Sequence, residues 1–391
     1  MSSDGTSKGP GFTALSRTVA IDILVHGARS RAQLTKTMGL SAATLTRLVK
    51  PLLEAGVLAE TELIRTPGRG RASLALDVVA ERYRFIGVKL TTESIYAVVT
   101  DLRARILDTC VLPVRSLAVS DIVDAVSEIV AGFRSTGQPH VDAVGVTVGG
   151  VVEAGEIVAD SPFMHWHEVP LRALLSKRLR VPVHLDNDVV GLTQAQHWFG
   201  YGKGYSDFAL LTVGAGIGYG LVLNNTMIPT GVTPVSHLPI DPYGPLCFLG
   251  HRGCMTAYLT SDSIASAVSA GVGRPVGYDE VLELAGAGDL IARRVVEEAA
   301  HALGQAAASI SSLTGVERII LSGEGIHLAD VARKSLDEGL GRYAGPRGSR
   351  SELVIRPMDF IEWARGAATI AIQREFPGPA PTRSSSADFA S

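Results

Sequence analysis

The chain has 391 residues, 46% of them hydrophobic and 19% charged, with 42 Gly and 19 Pro, a globular composition with material for two or three domains. No apolar run approaches the roughly 20 residues of a membrane span, Met1–Gly11 lacks the apolar stretch of a secretion signal, and three cysteines cannot build a disulfide framework. Membrane, secreted and fibrous classes are excluded, and a cytoplasmic protein is expected.

The net charge of −3 divides unevenly, because residues 1–76 hold 10 Lys+Arg against 5 Asp+Glu and leave an acidic remainder. A basic head on an acidic body points to an anionic partner for the head alone. After a flexible start at residues 1–13, Leu15, Val19, Ile21, Ile23 and Leu24 predict a helix closed by Gly27. Ser30 reads as the cap of a short helix carrying Leu34 and Met38 and ended by Gly39. Ser41 caps a third, Ala42–Ala55, with Leu45, Leu48, Val49, Leu52 and Leu53 inward, Gly56 as its stop and a bend expected at Pro51. Two short helices meeting at a Gly-containing turn form a helix-turn-helix. The second would present Ser41, Ala43, Thr44, Thr46, Arg47 and Lys50, groups suited to phosphates and base edges of double-stranded DNA. Val57–Ile64 and Ser73–Leu76 read as strands around a Thr66–Arg71 tip, a wing whose Arg69 and Arg71 suit a narrow minor groove. Residues 14–78 are therefore expected to be a winged helix-turn-helix. A packing or dimerisation module is the alternative for three such helices.

The pattern then changes. Phe85–Leu90, Ser94–Thr100 and Ile106–Val111 predict successive strands, with Asp101–Arg103 as a turn. Helices over Ile122–Arg134, Pro170–Leu179 and Glu362–Arg374 alternate with strands at Ala143–Val148, Val183–Leu185, Phe208–Val213 and Arg318–Leu321. The result is an α/β body over residues 84–375. The Pro/Ser-rich end, residues 376–391, is expected to be a disordered tail.

Gly145–Val151, Ser161-Pro162 with Trp166, Val181–Asp188, Phe199–Gly204, Gly214–Gly220 and Gly250–Cys254 occur in an order and spacing that resemble the ROK family (repressors, open reading frames and sugar kinases). The resemblance is to the subgroup with a winged helix-turn-helix before the body. It implies a two-lobed, actin-like, sugar-kinase-like fold, a homodimer or homotetramer, and a small carbohydrate effector between the lobes. It assigns ligand contact to Gly150, Asn187, Asp188 and His237. Asp188 matches the family's general base, and contact with a bound sugar is favoured over catalysis. For His237, sugar contact, metal ligation and packing stay open.

Several family positions are altered. The first phosphate segment reads Lys89-Leu-Thr-Thr-Glu93, the second has Ala215 in place of the usual Thr, and Glu324 in Ser322–Gly325 would face a nucleotide. ATP binding is expected to be lost. Pro234 and Thr256 replace two sugar-binding carboxylates. Of the family's zinc ligands, His237, Cys247 and Cys254 remain, but the middle cysteine is Leu249. Zinc is a candidate cofactor, with His251 as a substitute ligand only on a different loop path, against a metal-free turn with two thiols. The expected function is a sugar-responsive, DNA-binding transcriptional regulator, foremost a repressor. Alternatives are an active sugar kinase with a DNA-binding head and a ligand-blind dimeric regulator.

Overall fold

A computed structural model describes residues 11–61, 74–136, 140–229, 235–342 and 352–377. It divides into two compact units, residues 1–186 with 367–391 and residues 187–366. The N-terminal helices belong to the first unit, together with the body up to residue 186.

The chain opens with α1 (Ala14–His26), β1 (Arg29–Ser30), α2 (Arg31–Met38), α3 (Ala42–Glu54), β2 (Leu58–Thr61) and β3 (Ala75–Val78). Each helix starts at a hydroxyl that satisfies an orphan backbone amide. Thr13 Oγ1 accepts from Ser16 N at 3.1 Å and Ser41 Oγ from Thr44 N at 3.1 Å. Ser30 and Gln33 bond reciprocally, at 3.2 and 2.8 Å. Val19, Ile23, Leu24, Leu34, Leu45, Leu48, Val49 and Leu52 are buried together with Leu58 and Leu76, whereas Leu15 turns outward. Pro51 stands in the last turn of α3, which runs through it as one helix. Buried Ser16 donates to Leu48 O, in the turn before that proline, at 3.2 Å. The strands pair antiparallel in the order β1-β3-β2, Leu58 opposite Val78 and Thr61 opposite Ala75. The returning strand thus lies two residues later than its sequence position predicted, and β1 was too short to be seen in the sequence. Arg69 and Arg71 lie outside the described residues. Phe12 is buried and Thr13 caps α1, so the ordered chain begins before residue 14.

The first unit continues with β4 (Phe85–Leu90), β5 (Ser94–Thr100), β6 (Ile106–Pro113), α4 (Val119–Ser135), β7 (Ala143–Val148), β8 (Val151–Glu153), β9 (Ile157–Ser161), β10 (Trp166–Val169), α5 (Leu171–Leu179) and β11 (Val183–Asn187). Its sheet runs β11-β7-β4-β5-β6, antiparallel through the β4–β6 meander and parallel between β4 and β7. Asp101 closes the β5–β6 turn by accepting from Arg103 N and Arg105 N at 2.8 and 3.0 Å. Every residue of β4 and β7 is buried, the reason both read as largely apolar runs, broken only by Lys89 and Thr147, rather than alternating ones.

The second unit holds α6 (Asp188–Phe199), β12 (Phe208–Val213), β13 (Ile217–Leu223), β14 (Thr226–Ile228), the helices α7 (Met255–Leu259), α8 (Ser261–Val272), α9 (Tyr278–Gly286) and α10 (Leu290–Thr314), then β15 (Arg318–Ser322), α11 (Leu328–Val331), α12 (Arg333–Gly341), β16 (Glu352–Ile355) and the start of α13 (Phe360–Glu375). Its sheet, β14-β13-β12-β15-β16, repeats the first one's plan of an antiparallel meander followed by parallel strands. The α10 helix, absent from the sequence reading, supplies Val296, Ala300, Leu303 and Ala307 to the largest core.

From residue 367 onward α13 belongs to the first unit. A β-carbon at Gly145 would collide with Ala367 O, so glycine lets the helix lie directly on β7. At its end Phe376 is buried, stands edge-on to Tyr83 with centroids 6.0 Å apart, and offers its carbonyl to Arg17 Nη2 at 3.5 Å. Phe376 is therefore ordered core, a correction to the tail expected from residue 376. An Arg103–Asp77 ion pair and Leu102 N donating to Ala80 O at 3.3 Å also tie β3 and its following turn to the β5–β6 turn.

Candidate functional site

The outer face of α3 exposes Ser41, Ala43, Thr46, Arg47 and Lys50, with Thr44 half-buried. Part of its polar capacity is spent locally. Ser41 Oγ and Thr44 Oγ1 lie 2.9 Å apart, Thr46 Oγ1 donates to Ala42 O at 2.9 Å, and Lys50 Nζ is 3.8 Å from Glu54. Arg47 makes no hydrogen bond or ion pair among the described residues. The face is small, hydroxyl-bearing and cationic, and no large apolar side chain stands on it.

Of the ligand candidates, Gly150 is in the first unit and Asn187, Asp188 and His237 are in the second. At Gly150 φ is +130°, and a β-carbon would collide with Asp160 O. The close approach of β9 explains this glycine structurally. Asn187 is the N-cap of α6, its Oδ1 accepting from Val189 N at 2.8 Å and Val190 N at 3.4 Å. Asp188 follows in the first turn and accepts from Val189 N at 2.9 Å, where the helix dipole favours its charge. Both side chains are half-buried. Helix capping accounts for much of this Asn-Asp pair, and the carbonyl oxygen of Asn187 is largely committed to it.

His237, in a short turn, lies with Nδ1 3.7 Å from Cys247 Sγ and 3.5 Å from Cys254 Sγ. The His251 ring is 4.6 Å from that of His237, and one ligand atom from each of the four residues falls within 4.8 Å of the others. The loop path brings His251, the substitute that the sequence offered, into the group. Gly250, at φ +83°, turns the chain between the cysteines so that residue 251 comes back over the sulfurs, while Leu249 faces outward, 59% exposed. Burial alone would raise the Cys247 thiol, but the amides of Leu249, His251 and Gly250 and the Cys254 thiol hold it below its ordinary value. Burial, with Cys247 beside it, raises Cys254. Burial and then the charge of His251 lower His237, which favours the neutral imidazole a metal needs. Two sulfurs and two imidazoles at this spacing suit a four-coordinate structural Zn²⁺.

The first phosphate segment is an ordinary β4–β5 hairpin, closed by Thr91 Oγ1, which donates to Ser94 O at 2.7 Å and accepts from Ser94 N at 3.0 Å. Lys89 is buried in β4 and Glu93 is exposed at the turn. In the second segment Gly214-Ala215-Gly216 forms the β12–β13 turn, and Ala215 N donates to Glu324 Oε1 at 2.8 Å.

A family model described as the ROK family matches residues 85–374. The chain belongs to the ROK family. Relatives include the DNA-binding transcriptional repressor Mlc of Escherichia coli K12, 23% identical over 344 residues that span 83% of this chain and 84% of Mlc. A Thermotoga maritima glucokinase is 28% identical over 317 residues, 75% of this chain and 98% of the kinase. Among solved structures, a ROK family transcriptional regulator, a homologue of the E. coli MLC protein, shares the fold with a TM-score of 0.78 at 22% identity, over 92% of this chain and 96% of that one.

In this ROK chain the site residue that sequence reasoning set aside is His251. Its signal was present in the spacing, because a histidine three residues before Cys254 in a Gly-flanked loop can fold back as a ligand. The ROK resemblance drew attention instead to the missing cysteine at Leu249.

Proposed function

We propose that this ROK protein is a sugar-responsive transcriptional repressor of carbohydrate-utilisation genes, acting as a homodimer or homotetramer. Residues 14–78 serve as a winged helix-turn-helix on double-stranded DNA, and the body binds a small carbohydrate without phosphorylating it. The observation that carries the reading is the exposed, hydroxyl-bearing and cationic face of α3, set on a capped helix in a basic head. The repressor Mlc matches 83% of this chain and the glucokinase 75% of it. A sugar-binding body joined to a DNA-binding head supports regulation over metabolism. The altered first phosphate segment and the Ala215–Glu324 bond support loss of kinase activity.

DNA contact is assigned to Ser41, Ala43, Thr44, Thr46, Arg47, Lys50, Arg69 and Arg71, and ligand contact to Gly150, Asn187, Asp188 and His237. Zinc, held by His237, Cys247, His251 and Cys254, would act as a structural cross-link, fixing the loop that carries His237. The test is fluorescence anisotropy on the DNA upstream of the protein's own gene, at stated salt, with sugars titrated into the complex. Specific binding reversed by one sugar is the expected result. Binding indifferent to every sugar favours the ligand-blind regulator, and sugar-dependent ATP consumption would establish the kinase instead.

A further inference from the structure

A helix ends on carbonyls that have no partner within it and on the negative pole of its dipole. The α3 helix cannot answer this from its own sequence, because its last turn holds no basic side chain. The cation comes instead from the chain that leaves the head. Arg82 Nη1 donates to the carbonyl of Ala55, the C-cap residue of α3, at 2.6 Å. Room for the guanidinium depends on Gly56, where φ is +66° and a β-carbon would collide with Arg82 Nη1.

Arg82 steadies α3 because its own segment is held from both sides. Val79 N donates to Val57 O, just past the end of α3, at 3.1 Å, and Leu102 N in the β5–β6 turn donates to Ala80 O at 3.3 Å. Arg84 N donates to Asp142 Oδ2 and Asp142 N to Arg84 O, both at 2.8 Å. Arg84 Nη1 closes the turn on itself by donating to the carbonyls of Glu81 and Tyr83 at 2.6 and 2.8 Å. Ala80 is buried, and Tyr83 stacks on Phe85 of β4 with centroids 6.4 Å apart. Residues 79–84 therefore form a braced span between the sheet of the head and the sheet of the body.

We infer that this span is a strut and Arg82 its positioning residue, fixing the angle at which α3 stands on the first unit. The outer face of α3 then meets DNA in an orientation set by the body, and a movement of the first unit reaches α3 as a rigid displacement. The inference rests on the reading of α3 as the DNA-contacting helix, but the bracing is testable without DNA.

Full-length wild type, Arg82→Ala and Arg82→Lys are compared in two ways. Hydrogen–deuterium exchange should be several-fold faster in Arg82→Ala at the amides of Ala55, Gly56 and Val57, which bond back into the end of α3. Arg82→Lys should return toward the wild-type rate, because its ammonium still meets the helix end. Anisotropy on the DNA upstream of the protein's own gene should show an affinity about tenfold weaker in Arg82→Ala. Affinity for an unrelated duplex and the melting temperature should not change. A general loss of stability would instead lower the melting temperature and weaken both duplexes alike, and that result overturns the positioning role. Unchanged exchange in Arg82→Ala overturns the strut, and unchanged affinity for the upstream DNA overturns its hold on DNA contact. A wild type that binds both duplexes equally would remove the DNA-specific reading, while the exchange rates would still decide the strut.

Discussion

Removing metal from the proposed Cys₂His₂ cluster should lower the melting temperature of the second unit substantially. Zinc at a thousandfold excess over its Kd stabilises the folded state by about 4 kcal/mol through mass action. For a unit of about 180 residues, each kcal/mol moves the midpoint by roughly 2–4 °C. Chelation should therefore cost about 8–16 °C in a differential scanning experiment. His251→Ala leaves three donors, and a hundredfold loss of affinity would remove about 2.7 kcal/mol of that gain, or roughly 5–10 °C. Adding Leu249→Cys to that variant should not restore the loss, because residue 249 faces solvent while residue 251 covers the sulfurs. The control is elemental analysis of metal-replete protein, with one zinc per chain expected for wild type. Protein without zinc, or an identical chelator shift in wild type and His251→Ala, would refute the reasoning.

Arg47→Ala should leave the melting temperature unchanged, because the side chain is exposed and unpaired among the described residues. It should weaken operator binding by about 1–3 kcal/mol if it reads a base, or flatten the salt dependence by about one unit if it meets a phosphate. Unchanged affinity and salt slope would remove it from the interface. Asn187→Ala should cost about 1 kcal/mol in urea unfolding through loss of the α6 cap, whereas Asn187→Asp should keep that stability. Equal losses would show that capping is not its role. Burial lowers the His197 pKa from 6.5, against the opposing effect of an Asn225 hydrogen bond. The unfolded chain therefore takes up its proton first as pH falls. The stability contributed is complete above about 6.5 and drains away from there to the lower folded value. His197→Asn should show a smaller drop in urea midpoint between neutral and mildly acid pH, and an equal drop in both proteins would contradict the assignment.

The parts of the fold legible in the sequence were those in which one local signal sufficed. Fully buried strands such as Phe85–Leu90 and Ala143–Val148 were found to the residue, because burial on both faces leaves a run apolar at all but one position, Lys89 in the first and Thr147 in the second. Helices with a Ser cap and a Gly stop were found to within a residue or two. The β1 strand escaped because two residues have no period, and β8–β10 because short, half-polar strands resemble loops. The α10 helix escaped because alanines packed against α12 carry little hydrophobic contrast. The cluster at His237 was three-quarters legible from ligand types. Its fourth member depended on the path of the loop at Gly250, a left-handed turn that spacing alone does not give.

The seating of α13 on β7 has a consequence for how the protein is made. The unit that carries the N-terminal head is not continuous in sequence, since its last layer is supplied by residues beyond 366. As the chain leaves the ribosome, the second unit is complete before the first, and the face of β7 that holds Gly145 must wait for Ala367. A premature stop in the final helix would therefore strike the opposite end of the gene product. A chain interrupted before residue 367 therefore has all the strands of the first unit's sheet but lacks the helix that lies on β7.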